Sequence, residues 1–323
     1  MRLSKQTTAA IEAPRKKKGF FKRAIEQWDL QVLVLPGIIL LLIFSYLPMY
    51  GLIMSFQEFR IGDFPGVSEW VGFKQFQSLF GDPNFFRTLR NTLVISLLRL
   101  TIGFVAPIIF AVFLNEMHNQ GIKKTVQTVS YLPHFISWTV CALLMFDFLS
   151  VDGGAVNEML LNFGIIKEPI GFFQKGEYFW WIALFTDMWK ELGWNSIIYI
   201  SAMAGVDAEM YEAADIDGAN RAQKMWHITV KAIVPTIVLL FIMAVGGVLN
   251  SNFDQIMMLT KNMGNAMLTE YADVINTFVY RYGLSMGRVS FATAAGLFQG
   301  VFNFLFLIIA NWIAGKLGDN AMF

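Results

Sequence analysis

The chain has 323 residues, of which 55% are hydrophobic and 15% charged, and its formal net charge is +1. So apolar a composition excludes an ordinary soluble domain and indicates a membrane protein. The near-zero net charge gives no sign of nucleic-acid binding. Cys141 is the single cysteine, which excludes a disulfide within the chain.

Residues 1–31 are polar and basic, with six lysines and arginines between positions 15 and 23. Positive charge next to a membrane helix favours the cytoplasmic side, where it also meets anionic lipid. The first apolar run is long enough to span and shows no signal-peptide pattern. We therefore predict a basic cytoplasmic segment over residues 1–31 and a transmembrane domain over residues 32–323.

Six apolar runs in this domain are long enough to cross a bilayer as helices. They cover residues 32–56, 89–116, 127–150, 179–203, 236–259 and 290–316. Pro36 and Pro48 are expected to break the first span. The predicted fold class is all-α, a polytopic membrane protein with six transmembrane helices. An even number of crossings places both termini in the cytoplasm, together with the charged segment at about residues 205–235.

This charged segment predicts two short helices. The first covers residues 207–217, because Asp207 can cap its first amides and Gly218 follows its last turn. Gly218 permits the left-handed backbone that reverses the chain. The second helix is predicted to begin near Asn220. Acidic side chains dominate the first helix and basic ones the second. A polar helix pair that is attached to the membrane at both ends is expected to bind a specific surface with its acidic face.

The segment over residues 212–235 resembles the EAA loop of permease subunits of bacterial ATP-binding-cassette (ABC) importers. The positions that carry the resemblance are Glu212, Ala213, Ala214, Gly218, Ile228 and Pro235. The match is closest to the carbohydrate branch, whose loop reads EAA-x-x-D-G-A, here EAADIDGA. One departure is Lys231, which stands where the family usually has a proline, while the later proline is kept as Pro235.

Four further segments resemble the oligosaccharide and polysaccharide permeases of that family. They are Asn91-Thr92-Leu93 and the stretches YLPHFIS at 131–137, GWNSIIY at 193–199 and DVINTFVY at 273–280. The resemblance implies the type I ABC importer permease fold. It also implies a second homologous permease subunit, paired across a pseudo-twofold axis, so that the membrane unit is a heterodimer.

The resemblance further implies that the EAA loop carries a coupling helix, which sits in a cleft of a cytoplasmic ATPase dimer. The implied coupling residues are Glu212, Ala213, Ala214, Asp217 and Gly218. Glu212 would anchor the ATPase or bind the loop's own amides. The other implied partners are an extracytoplasmic solute-binding protein, an oligosaccharide and membrane lipid, with no nucleic acid, and the implied location is the bacterial cytoplasmic membrane.

A phosphate-binding G-x-x-x-x-G-K-[ST] loop is absent from the sequence. The chain is therefore predicted not to be an enzyme and to bind no cofactor, with ATP and Mg on the partner ATPase. Two alternatives stay open. An intramembrane enzyme could use Asp187 and Asp254 as a carboxylate pair, and a proton-coupled carrier could use intramembrane carboxylates as proton sites.

Polar side chains inside spans are costly in lipid, so they are expected to face protein or a water-filled cavity. Asp187, Lys190 and Glu191 lie midway along the fourth span, and Asp187 and Lys190 are spaced to pair. A structural function is favoured for these three. His134 is predicted to pack or to satisfy a kink rather than to bind a ligand.

A second group of polar and aromatic residues is the candidate substrate pathway. The candidates are Trp189, Trp194, Asn195, Asn250, Asn252, Asp254, Gln299 and Asn303. Asn250 and Asp254 are predicted to share one helix face, as are Gln299 and Asn303. The competing interpretation is that these side chains hold the helices together. The sequence does not name the sugar, and Lys190 alone does not establish an acidic one.

Overall fold

The structure, a computed structural model, describes residues 27–317. The basic cluster predicted at the N-terminus and the last six residues lie outside the described residues. The chain forms two compact units, which divide between Leu52 and Ile53. Apart from one isolated antiparallel bridge between Gln57 and Trp70, the described residues contain helices and loops and no strands.

Helix α1 runs from Trp28 to Phe56 and is long and apolar enough to cross a membrane. The helix continues through both of its prolines, so the predicted break is wrong. Pro36 lies inside a regular segment. Pro48 follows a π-helical turn at Leu42–Tyr46 and stands at the start of the next turn, where its missing N–H is tolerated.

Helix α2 (Lys74–Phe80) lies in the loop that leads to α3 (Pro83–Asn115). The α3 helix begins six residues before the predicted span. The cause is local: the Asp82 carboxylate accepts a hydrogen bond from the Asn84 amide at 2.8 Å, and Pro83 occupies the first helical position. A π turn interrupts the middle of α3 at Arg99–Gly103.

The third predicted span is two helices rather than one. Helix α4 (Gln120–Phe135) and helix α5 (Trp138–Phe148) meet at an angle of 106°. The bend follows Pro133, and Ile136 has extended backbone angles. Ser137 then accepts the Val140 amide and starts α5 as its N-cap.

Helix α6 (Ala155–Asn162) precedes α7 (Phe179–Ala204), which matches the fourth predicted span. At 1.5 Å per residue its 26 residues cover about 39 Å. Two contacts fix its position: α7 packs along the second half of α3, and Gly193 lies so close to α4 that a Cβ atom there would stand 2.2 Å from the Ser130 carbonyl oxygen.

The fifth predicted span is also divided. Helix α8 (Ala208–Ile216) leads to α9 (Arg221–Gly246). The α9 helix ends at Gly246, where the Leu307 side chain leaves no room for a Cβ atom. A break over residues 247–252 follows, and α10 (Phe253–Leu259) is a separate short helix. Asn250 and Asp254 therefore do not share a helix face, and that prediction is wrong.

The chain closes with α11 (Thr269–Ala272), α12 (Ile275–Tyr280) and α13 (Val289–Leu317). The α13 helix confirms the sixth predicted span. By length and composition α1, α3, α9 and α13 can each cross a membrane, and the bent pair α4 and α5 is a fifth candidate. With α7, which carries three charged residues, these elements account for the six predicted spans.

Two of the segments that carry the family resemblance meet in a buried hydrogen-bond network. Asp273 is fully buried and accepts hydrogen bonds from Thr88 at 3.3 Å and Thr277 at 2.8 Å, and it pairs with Arg281. Asn91 donates to the Asp273 carbonyl at 3.0 Å. This network fastens the segment before α12 to the first half of α3, so these motif residues are structural.

Buried apolar clusters hold the helices together. One of them lies beside the root of the EAA loop and joins α3, α7 and α9. Its members are Ala111, Val112, Tyr199, Met203 and Ile233. Met225 and Val230, from the first turns of α9, pack against it. The base of the loop is therefore packed against α3, α7 and the body of α9.

Candidate functional site

The EAA loop folds as its sequence predicts. The Asp207 carboxylate accepts the Glu209 amide at 3.0 Å and caps α8. Gly218 has φ +74°, the left-handed conformation expected for it. Asn220 caps the next helix in a reciprocal capping box with Gln223, at 2.9 and 2.7 Å.

Three contacts make this loop a stiff unit. Lys224 pairs with Asp215 at 2.7 Å and so ties α9 to α8. Arg221 Nε lies 2.6 Å from the Glu116 carboxylate, which connects the loop to the end of α3. The Tyr211 hydroxyl is 3.0 Å from that of the buried Thr229. Exposed ion pairs add little stability, so of the three contacts the one with the buried Thr229 contributes most to holding the loop.

The predicted coupling residues lie on the accessible side of this unit. Glu212, Ala213, Asp217 and Gly218 are exposed and Ala214 is partly so. Ala214, Asp217 and Gly218 also line a surface groove of about 310 Å³. Within the described chain the Glu212 side chain makes no hydrogen bond or ion pair. Asp207, not Glu212, satisfies the first amides of α8.

Lys231, the departure from the family pattern, begins the regular part of α9. The preceding residues Met225–Val230 form a π turn, and Pro235 lies inside the helix that follows. The π turn thus ends at Val230, directly before position 231, where the family usually has its proline. The change of helical geometry at this point does not require a proline at position 231.

A polar chamber of about 240 Å³ lies where α3, α7 and the break after α9 come together. Its polar and glycine lining is Ser96, Arg99, Gly103, Asp187, Asn195, Gly247 and Asn250. Of the eight candidate pathway residues, Asn195 and Asn250 line this chamber. Arg99 is not among the predicted site residues, although an arginine in the middle of an apolar span is itself a signal.

The predicted pairing of Asp187 with Lys190 is wrong. The Asp187 carboxylate lies 3.5 Å from Arg99 Nε instead. Lys190 is buried and donates to the backbone carbonyls of Pro133 and His134, at the bend between α4 and α5, and its ammonium lies 3.6 Å from Glu191. The side chain of Lys190 points to the bend because the backbone carbonyls there have lost their helical partners and need a hydrogen-bond donor.

His134 has the packing role predicted for it. Its ring stacks on Trp194 with a centroid distance of 4.1 Å, and its Nδ1 lies 2.7 Å from the Glu191 carboxylate. One face of the Trp194 ring is therefore covered by His134 rather than free to stack on a sugar.

Asn250, Gln299 and Asn303 form an interhelical network. The Asn250 side-chain oxygen accepts hydrogen bonds from the side-chain amides of Gln299 and Asn303, each at 2.9 Å. Asn303 also accepts the Leu249 amide at 3.0 Å. This network attaches the break after α9 to α13, and it confirms that Gln299 and Asn303 share a face. These contacts support the alternative interpretation of the three residues, in which they hold the helices together.

The remaining candidates lie outside the chamber lining. Asn252 caps α10 by accepting the Gln255 amide at 3.2 Å. Asp254 is exposed in the first turn of α10, and Trp189 is 38% exposed on α7. The structure thus gives Asn252 a structural role and leaves Asp254 and Trp189 accessible.

An apolar cavity of about 670 Å³ adjoins the chamber, between α3, α9 and α13. The two spaces share Leu100 and Phe104. The Phe104 ring also meets Phe241 edge to face at 5.3 Å. A polar space between candidate membrane helices is thus bounded by an apolar one, and a charged loop stands at the end of two of these helices. Together these features define a polytopic membrane permease.

The chain belongs to the family described as binding-protein-dependent transport system inner membrane component, whose model matches residues 103–319. It is a multi-pass membrane protein and the permease component of an ABC importer.

Two relatives from Bacillus subtilis (strain 168) are similar over almost the whole chain. The polygalacturonan/rhamnogalacturonan transport system permease protein YteP is 40% identical and covers 98% of this chain and 96% of its own. Protein LplB is 39% identical, with 92% of each chain covered.

Two solved structures have the same fold. One is a bacterial ABC transporter involved in the import of the acidic polysaccharide alginate, with TM-score 0.82 and 38% identity over 92% of this chain and 98% of that one. The other is a bacterial alginate ABC transporter in complex with an alginate pentasaccharide-bound periplasmic protein. Its TM-score is 0.83 with 38% identity, and it covers 93% of this chain and 98% of that one.

Proposed function

We propose that this chain moves an oligosaccharide derived from a polysaccharide across the bacterial cytoplasmic membrane by alternating access, driven by a partner ATPase. The observation that carries the proposal is the EAA loop, a stiff helix pair with a free acidic face, joined to three long helices through one buried cluster. Such a unit transmits displacement because it moves as a body and biases two packings of the helices.

The proposed docking contact is the exposed side of α8. Ala213 and Ala214 have short side chains that let a partner approach closely, and Gly218 allows the turn that ends the helix. Glu212 is a free carboxylate on this surface, ready to accept a charge-assisted hydrogen bond. ATP and Mg are held by the ATPase dimer, which occupies the cytoplasmic side together with both termini of the permease.

The names of the relatives support the proposed substrate and the remaining partners. Permeases named for polygalacturonan, rhamnogalacturonan and arabino-oligosaccharides, and an importer of alginate, favour an oligosaccharide here. A second homologous permease completes the pathway within the lipid bilayer, and a solute-binding protein delivers the sugar, as in the complex with a periplasmic protein.

The outer surface offers a polar pocket of about 300 Å³ that suits such a binding protein. Glu58, Lys74 and Arg288 line it. The Lys74 ammonium donates a hydrogen bond to the Glu58 carboxylate, with 2.9 Å between Nζ and Oε2. This hydrogen bond holds the pKa of the Glu58 carboxyl below its ordinary value. The pocket therefore presents charges of both signs at neutral pH.

Gentle solubilisation of the tagged protein, with identification of the proteins that co-purify, tests the proposal. We expect the wild type to retain a homologous permease and an ABC ATPase. Glu212→Lys should lose the ATPase and keep the permease, because charge reversal repels the partner's cationic site.

Glu168→Lys is the matched control, since Glu168 is exposed on the loop between α6 and α7. That variant should behave like the wild type. Absence of any ATPase from the wild-type preparation would contradict the proposed coupling and would favour a proton-coupled carrier.

A further inference from the structure

The polar chamber contains an arginine that the coupling function does not use. Arg99 lies midway along α3, in the π turn that interrupts the helix. Its side chain is 18% exposed, and its Nε atom is buried without a hydrogen-bond partner in the described residues. An ionised group at this depth is costly unless it faces a partner or a polar cavity. π turns of this kind are frequent at functional sites.

The contacts of Arg99 orient its guanidinium without saturating it. Gln255 is fully buried and accepts from one terminal nitrogen of Arg99. The Gln255 side chain is itself held by donation to the Ala183 carbonyl at 2.7 Å. The neighbouring Asp187 carboxylate lies 3.5 Å from Nε, outside good hydrogen-bond distance and short of the two-bond fork that arginine forms with a carboxylate.

The other charges near the chamber are engaged with each other. Lys190 is bound to backbone carbonyls and lies near Glu191, and Glu191 contacts His134. Arg99 and Asp187 are thus the charged groups in the chamber lining. A guanidinium has five N–H donors, so it can keep Asp187 on one edge and bind a second carboxylate on another.

We propose that Arg99 binds a carboxylate of the transported sugar and makes this chamber select acidic sugar units, such as uronates, over uncharged ones. This inference rests on the function proposed above. The volume of about 240 Å³ suits a single sugar unit of a longer chain. Asn195 lines the same chamber and supplies an amide group for the sugar hydroxyls, and the Asn250 side-chain nitrogen is left to donate because its oxygen accepts from α13.

The test uses the complete importer, with its partner permease, ATPases and binding protein, reconstituted in lipid vesicles. Uptake of an oligogalacturonate is compared with uptake of the same oligosaccharide after methyl esterification. The binding protein is identical in every preparation, so its own preference cancels when the acid-to-ester uptake ratio of a variant is divided by that of the wild type. Arg99→Gln and Arg99→Lys are measured beside Arg60→Gln, a control at an exposed position.

We expect Arg99→Gln to lower the acid-to-ester ratio about tenfold or more, because the lost contact is a charge-assisted hydrogen bond. Arg99→Lys should keep part of the ratio, and Arg60→Gln should leave it unchanged. Equal loss of both substrates in Arg99→Gln, with normal assembly, would overturn the assignment and leave the importer function intact.

If Arg99→Gln does not assemble, the Arg99→Lys variant and the wild type still decide the question. A wild type that transports the ester as fast as the acid at saturating binding protein would overturn the inference. A wild type that transports neither sugar while its ATPase is stimulated by a different sugar would also overturn it. Failure of the proposed function looks different, because then no ATP-driven sugar uptake occurs at all.

Discussion

At the scale of single residues, the EAA loop depends on the backbone of Gly218. Its φ of +74° is costly for a side chain with a Cβ atom, although a Cβ there would meet no other atom within 4 Å. The strain therefore comes from the residue's own backbone and not from a packed neighbour, and it amounts to about 1–2 kcal/mol for an ordinary residue. Asparagine tolerates the left-handed region better than valine does.

This difference gives a matched pair of variants. Gly218→Val should shift the loop away from its folded conformation and lower ATP-driven transport about 5- to 30-fold, while the amount of inserted subunit stays the same. Gly218→Asn should stay within a few-fold of the wild type. Transport per inserted subunit is the measurement. Equal transport by both variants would show that the turn geometry does not limit coupling.

At the same scale, Asp187 shows how a local prediction failed. The spacing of Asp187 and Lys190 on one helix allows them to pair, but each finds a better partner on another helix. Arg99 approaches Asp187 from α3, and the carbonyls at the bend of α4 capture Lys190. Spacing along one helix does not reveal which donor a neighbouring helix brings.

At the scale of elements, the contact between α4 and α7 depends on Gly193. A Cβ atom added there would stand 2.2 Å from the Ser130 carbonyl oxygen, so the two helix backbones are in direct contact. Close approach through small residues is a common way for helices to associate in lipid. The same contact holds the bend of α4 near Lys190 and His134.

Gly193→Ala should therefore destabilise the subunit, by about 1–3 kcal/mol for a forced displacement of two packed helices. Thermal denaturation of the purified subunit in detergent would show the midpoint lowered by several degrees. Gly37→Ala is the control, since that glycine is also helical and no atom lies within 4 Å of its added Cβ. An unchanged midpoint in Gly193→Ala would mean that the helices separate at little cost.

At the scale of the whole molecule, the energy source distinguishes the importer from a proton-coupled carrier. The polar groups of the chamber lie on α3 and α7 and in the break that follows α9, and α7 and α9 are the helices that enter and leave the EAA loop. Displacement of the loop can therefore change the chamber through rigid elements, which is the requirement for coupling to a partner ATPase.

We expect sugar uptake by the reconstituted complex to require ATP on the EAA-loop side and to persist when an uncoupler collapses the proton gradient. Uptake and ATP hydrolysis measured in the same vesicles test this expectation, with vesicles that lack ATP as the control. Uptake that follows the proton gradient without ATP would instead support the carrier.

The sequence by itself determined the membrane class, the position of most spans and the local geometry of the EAA loop. Each of these depends on neighbouring residues: apolar runs, a capping aspartate at position 207 and a glycine at position 218. Interactions within one segment can be deduced from its sequence, because the partners are a few residues apart.

Only the tertiary structure decided which polar residues meet. Asn91 and Asp273 are separated by 182 residues and Arg99 and Gln255 by 156, so no local pattern joins them. The close packing of Gly246 against Leu307, a residue of another helix, is likewise invisible in the local sequence. Burial makes an unpaired polar group expensive, so most buried polar groups take the partner that packing provides, and packing is a property of the whole fold.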